Sequence, residues 1–151
     1  MVTRSVVVYL AFENQLKNFG SLIRYLLDER ASEFRVTVVI PQWLAEQNNR
    51  AVARNNMTEE ILRSLWGSRI DVCEMSHPDK LVAMARSGSI EVFLASRGRL
   101  EGLPDPYVAA TRAESLKLGT TWVALPEGFS LDFMVFDDLS TMLERWDVWC
   151  L

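Results

Sequence analysis

Apolar and polar positions along this chain follow two rhythms that take turns. Residues 6–11 form a near-continuous apolar run, and then Leu16, Phe19, Ile23, Leu26 and Leu27 recur at three- and four-residue spacing. The first rhythm is that of a strand buried on both faces, and the second is that of a helix lying on a sheet. A strand is therefore expected over residues 5–11, with a helix after it. Residues 35–40 are β-branched at almost every position, which predicts a second strand ended by Pro41. Residues 41–56 are polar and compatible with a short helix over 43–48. Asn56, Met57, Thr58 and Glu59 read as a capping box that opens a helix, with Met57, Ile61, Leu62, Leu65 and Trp66 on one side and Gly67 closing it.

The alternation continues to the end of the chain. A third strand is expected over residues 69–74, and Ser76-His77-Pro78-Asp79 starts a helix with proline at its first position and Gly88 past its end. Residues 90–95 predict a fourth strand. Asp105-Pro106 opens a helix that runs to Leu118 and is stopped by Gly119, and residues 120–125 predict a fifth strand. A helical turn over 138–143 and a strand over 146–150 complete the pattern. Strands and helices at these spacings imply βαβ crossovers. The expected fold class is therefore α/β: one three-layer domain over residues 1–151, with a mostly parallel sheet of about six strands and helices on both faces. No repeat, low-complexity tract or linker interrupts it. An ending on a strand is that of a domain cut at a boundary, or of a very compact minimal domain.

Composition narrows the function classes. At 151 residues, 49% hydrophobic and 24% charged, the chain can bury a real core and is far from disordered compositions. A net charge of -4 argues against a general affinity for nucleic acid or anionic membrane. No segment approaches the roughly 20 apolar residues of a membrane span, and the opening lacks a signal-peptide pattern, so a cytoplasmic protein is expected. Cys73 and Cys150 lie far apart and read as half-buried thiols in a reducing compartment. One histidine and two distant cysteines cannot form a metal site of the usual His/Cys kind, although an all-carboxylate site stays open. No cofactor fingerprint, Walker motif or nucleophile elbow is present.

In an open parallel sheet, ligands bind beyond the carboxyl ends of the strands, where the strand order reverses. Four loops qualify: residues 12–18, 96–105, 126–132 and 76–79. The first holds Glu13, Asn14, Gln15 and Asn18, with no glycine before Gly20. Glycines are what let backbone N–H groups close on a phosphate. Side-chain amides suit a hydroxylated ligand instead; Glu13 repels phosphate and can serve as a base. Asn14 has an alternative role as a helix N-cap. In the second loop Ser96, Arg97 and Arg99 can grip a phosphate or carboxylate, or remain solvated. In the third, Glu127, Gly128 and Ser130 form either a place of close ligand approach or a plain turn. His77 is read as a capping or solvent-facing residue, because no nucleophile is visibly paired with it. The tryptophans read as core or edge packing, with Trp149 alternatively facing a partner domain.

Three stretches carry a family resemblance. VVVYLAFENQLKNFGSLIRYLLDERASEFRVTVVIP resembles the opening of the amino-terminal domain of GT-B-fold glycosyltransferases and their relatives, including CDP-glycerol glycerophosphotransferase-like proteins. IEVFLASRGRLEGLPDPYVAATRAESLKLGTTWVALPEGFS is similar to a second signature of that domain, with Glu127-Gly128 where relatives often have His-Gly. Phe136-Asp137-Asp138-Leu139-Ser140 is similar to the segment preceding its last strand. The resemblance implies a Rossmann-like domain forming the acceptor-side half of a two-domain cleft. Its partners would be a polar, hydroxylated acceptor and a carboxy-terminal domain holding a nucleotide-activated donor, with no nucleic acid, no membrane span and no cofactor. Glu13 would be catalytic, and Asn14, Asn18, Ser96, Arg97, Glu127, Gly128 and Ser130 would bind ligand. Such a half would be inactive alone. The alternative is a free-standing, non-catalytic Rossmann-like module that binds a small ligand or a protein. A receiver-like domain is a weaker third reading, since Val72-Cys73-Glu74 stands where its third strand would end on aspartate.

Overall fold

The computed structural model describes residues 3–44, 57–88, 90–96, 100, 103–125 and 148–149, with Leu44, Ser96, Val148 and Trp149 described in backbone alone. The first apolar run becomes β1 (Arg4–Tyr9), buried from Val6 onward. A 3-10 turn (Glu13–Gln15) then leads into α1 (Leu16–Glu29), whose Phe19, Ile23, Leu26 and Leu27 are buried on one side, as their spacing predicts. β2 (Phe34–Pro41) includes the proline expected to end it. Pro41 pairs with Met75 in the last register position of the ladder, where a missing N–H costs least.

A second 3-10 turn (Gln42–Leu44) follows β2, and the next described helix is α2 (Glu59–Trp66). Thr58 is its cap, not Asn56: the Thr58 hydroxyl accepts from the Ile61 N–H at 3.3 Å. Met57 and Leu62 are buried, but Leu65 is 54% exposed, outside the predicted buried stripe. It stands at the rim of an open groove between α1 and α2, lined also by Leu16, Gly20 and Trp66. A 3-10 turn over Gly67–Arg69 delays β3 (Asp71–Met75) past its predicted start. α3 (Asp79–Arg86), β4 (Val92–Ser96), α4 (Asp105–Lys117) and β5 (Thr121–Leu125) follow within a residue or two of expectation. β6 (Val148–Trp149) falls within the last predicted strand. The helical turn expected over 138–143 lies outside the described residues.

Among the described residues the sheet has six strands in the order β3-β2-β1-β4-β5-β6, and every pairing is parallel. Alternation along the strands sends side chains to two separate cores. Val6, Val8 and Leu10 pack with Phe19, Ile23 and Leu62 under α1 and α2. Val7, Tyr9 and Ala11 pack with Leu81, Phe93, Val108 and Trp122 under α3 and α4. The result is the three-layer α/β arrangement of a Rossmann-like domain. Among the described residues, no helix is long and apolar enough to cross a membrane.

α4 reaches the sheet with small polar residues, and each is satisfied. Buried Thr111 and Ser115 donate to the carbonyls one turn back, at 2.7 Å each. Ser115 Oγ also accepts the indole N–H of fully buried Trp122 at 2.9 Å. The Trp122 ring stacks on Phe93, with centroids 4.7 Å apart.

Candidate active site at the strand ends

β1 is the strand at which the order reverses. Its first crossover leads to β2 on one side, and β4 lies on the other. Tyr9 pairs with Ala95, so the turn leaving β1 lies beside the end of β4 and Ser96. A Rossmann-like sheet opens its ligand crevice at this switch point. The ends of β1 and β4, which lead into two of the four loops nominated from sequence, therefore lie side by side.

The turn after β1 is closed by Gln15, which the sequence grouped with Glu13, Asn14 and Asn18 as a side chain offered to ligand and which instead turns inward. Gln15 is 1% exposed, although glutamine is rarely buried. Its Oε1 accepts the N–H of Ala11 at 2.8 Å and of Phe12 at 3.2 Å. The Gln15 N–H donates back to the Phe12 carbonyl at 3.1 Å, and Met57 N–H donates to the Ala11 carbonyl at 3.0 Å. Phe12 has extended backbone at the head of the 3-10 turn, with Gln15 at its third position. That is the place from which a Glu or Gln side chain reaches back in a capping box. The signal was in the sequence, but apolar Phe12 at the cap position concealed it.

This closure has a chemical consequence. In a phosphate-binding strand–helix turn, free backbone N–H groups converge on the anion. Here the N–H groups of Ala11 and Phe12 are consumed internally, and the turn offers side chains instead. Glu13 and Asn14 are exposed and Asn18 is half-exposed. None of the three side chains is held by a hydrogen bond to the described residues. The expected capping role of Asn14 is not seen: neither the 3-10 turn nor α1 has a side-chain cap bond.

The other predicted site residues fare differently. The Ser96 backbone ends β4, paired with Leu125, between the ends of β1 and β5. Arg97, Glu127, Gly128 and Ser130 lie outside the described residues. His77 and Asp79 pair at 3.2 Å beyond the end of β3, both largely exposed. β3 is an edge strand separated from β1 by β2, which puts His77 away from the switch point and fits its solvent-facing reading. Glu74 was also missed. Its carboxylate accepts from Gln42 Nε2 at 2.6 Å and from the Glu59 N–H at 3.2 Å, tying the turn after β2 to the start of α2.

A groove of about 480 Å³ lies at the opposite end of the sheet, lined by Thr3, Ser5, Arg35, Thr37, Asp71 and Glu91. The Arg35–Asp71 ion pair crosses it. Cys73, half-buried on β3, has its thiol pushed up by burial, which favours the thiol over the thiolate. Among the described residues, no group of three or more His, Cys, Asp or Glu is placed to hold a metal ion. Compared with protein-family models and with curated proteins, the chain matches no family model and has no significant curated match.

Proposed function

We propose that this domain is the acceptor-binding, amino-terminal half of a GT-B-like transferase. Such an enzyme moves a glycosyl or glycerophosphoryl group from a nucleotide-activated donor to a hydroxyl. The observation that carries the reading is the self-closed turn after β1. Gln15 occupies the N–H groups that would otherwise recognise a phosphate, and Glu13 and Asn14 stand exposed at the switch point.

In this reading Asn14, Asn18, Ser96 and Arg97 bind the acceptor through side-chain hydrogen bonds. Glu13 takes the proton of the acceptor hydroxyl as that oxygen attacks the donor's transferred carbon or phosphorus. The bond to the nucleotide phosphate breaks, and the nucleotide leaves with the electron pair. Donor phosphates are held by a carboxy-terminal domain, so the domain alone binds acceptor and turns nothing over. The protein works in the cytoplasm, with no nucleic-acid or membrane partner.

Titration of the isotope-labelled domain with UDP-glucose and CDP-glycerol, followed by amide NMR, tests the assignment. Only weak shifts are expected at millimolar nucleotide. A micromolar dissociation constant, with shifts centred on Phe12–Asn18, overturns it.

A further inference from the structure

α1 and α2 cover the same face of the sheet, and an open groove of about 750 Å³ lies between them. Leu16, Gly20, Arg24 and Asp28 line it at four-residue intervals, which makes them one ridge of α1. That ridge is about 18 Å long, or about three turns. Leu65, Trp66 and Arg69 form the opposite wall. The floor is bare at Gly20, where an added Cβ meets nothing within 4 Å, so another chain can approach the helix backbone closely. Leu65 is 54% exposed. A single exposed leucine is ordinary, but this one joins Leu16 and Trp66 in lining a concave surface.

The groove also carries charge. Asp28 is shared by two guanidiniums, Arg69 at 2.5 Å and Arg24 at 3.3 Å, and both arginines stay at least half exposed. Two cations on one carboxylate leave a positive charge over, in a chain whose net charge is -4. Exposed Lys17, one turn before the groove residue Ser21, adds to it.

We propose that this groove docks an acidic, amphipathic helix of a partner protein. Its apolar side chains lie over Gly20 against Leu65 and Trp66, and a carboxylate meets Arg24 and Arg69. A helix in a groove is held through anchors repeating every three or four residues, and the ridge from Leu16 to Asp28 has the length for them. The apolar wall favours a protein helix over a nucleic acid. Charge selects against a second copy of this chain, because a two-fold contact sets the surplus cations of one copy against those of the other. The proposal is independent of the acceptor reading above.

The test titrates dye-labelled helical peptides of about four turns onto the domain, followed by fluorescence anisotropy. The acidic probe has leucines at three- and four-residue spacing flanked by glutamates, and the basic probe has lysines in their place. The acidic probe is expected to bind with a dissociation constant of about 10–100 μM, more weakly as salt is raised, and the basic one roughly tenfold more weakly or worse. Gly20→Leu fills the floor and Leu65→Ser removes the apolar wall; each should weaken the acidic probe roughly fivefold or more. Gly20→Leu should melt no lower than the parent, since leucine is a good helix former and the space is open. If it does melt lower, Leu65→Ser decides alone, because a substitution at an exposed position leaves the fold intact. No saturation by about 1 mM acidic probe, equal binding of the two probes, or parental affinity in Leu65→Ser overturns the proposal. A dimer in sedimentation that Gly20→Leu abolishes gives the groove to a second copy and overturns it as well. So does tighter binding of a thymidine oligonucleotide than of the acidic probe.

Discussion

At the scale of single residues, Gln15 and its neighbours divide two jobs. Gln15 is buried and spends its carbonyl on two backbone N–H groups, while Glu13 and Asn14 are exposed and spend nothing on the fold. Gln15→Ala strands a buried and a half-buried donor, and the expected loss is about 2–4 kcal/mol. Glu13→Ala should change stability by less than about 0.5 kcal/mol. Urea denaturation of the two variants measures the contrast. Equal, small effects would show that the turn does not depend on Gln15. The polar character of residues 13–18 was legible in the sequence, but which residue faces inward was not. Three adjacent polar side chains, Glu13, Asn14 and Gln15, look alike in composition. Only the direction of each side chain in the 3-10 turn separates them.

At the scale of elements, two glycines behave in opposite ways. Gly20 lies inside α1, and a Cβ added there meets nothing within 4 Å. Its late position does not make a phosphate turn, and the helix does not need it for space. Gly20→Ala is therefore expected to raise stability by about 0.5–1 kcal/mol through the helix propensity of alanine. Gly67 ends α2 with φ +59 and ψ −133, a backbone conformation that side chains resist. Gly67→Ala is expected to cost about 1–3 kcal/mol although open space surrounds it. Thermal melts of the pair check both signs. The strand and helix order, and the glycine stop after α2, were readable from periodicity. The exposure of Leu65 was not, because a helical stripe says which residues share a side and not how far the sheet extends beneath them.

At the scale of the whole molecule, surface ion pairs join elements that are distant in sequence. Asp28 on α1 meets Arg69 beyond α2 as well as Arg24 of its own helix. The Arg69 hydrogen bond holds the Asp28 carboxyl below the usual carboxylate range. Glu33 is lowered by Arg30, and Glu114 by Lys117. A carboxyl with a depressed folded-state value stabilises the fold above its unfolded value, and that contribution disappears as pH falls through the depressed one. The urea midpoint is therefore expected to decline from about pH 4 downward, modestly, because these groups are exposed and screened. Asp28→Asn should have a lower midpoint at neutral pH and a shallower acid decline. A parallel decline in both proteins would assign the acid sensitivity elsewhere.

The sequence alone determined that strands and helices alternate, that the sheet is mostly parallel, and that the turn after β1 lacks the glycines of a phosphate loop. Those properties are local, written in periodicity, turn residues and the backbone freedom of glycine. The order β3-β2-β1-β4-β5-β6, which brings the end of β4 beside the turn after β1, came only from tertiary structure. So did the burial of Gln15 and the pairing of the Trp122 indole with Ser115. Each depends on pairing or packing between segments far apart in the chain, where many partners satisfy the same local pattern and only simultaneous burial selects one.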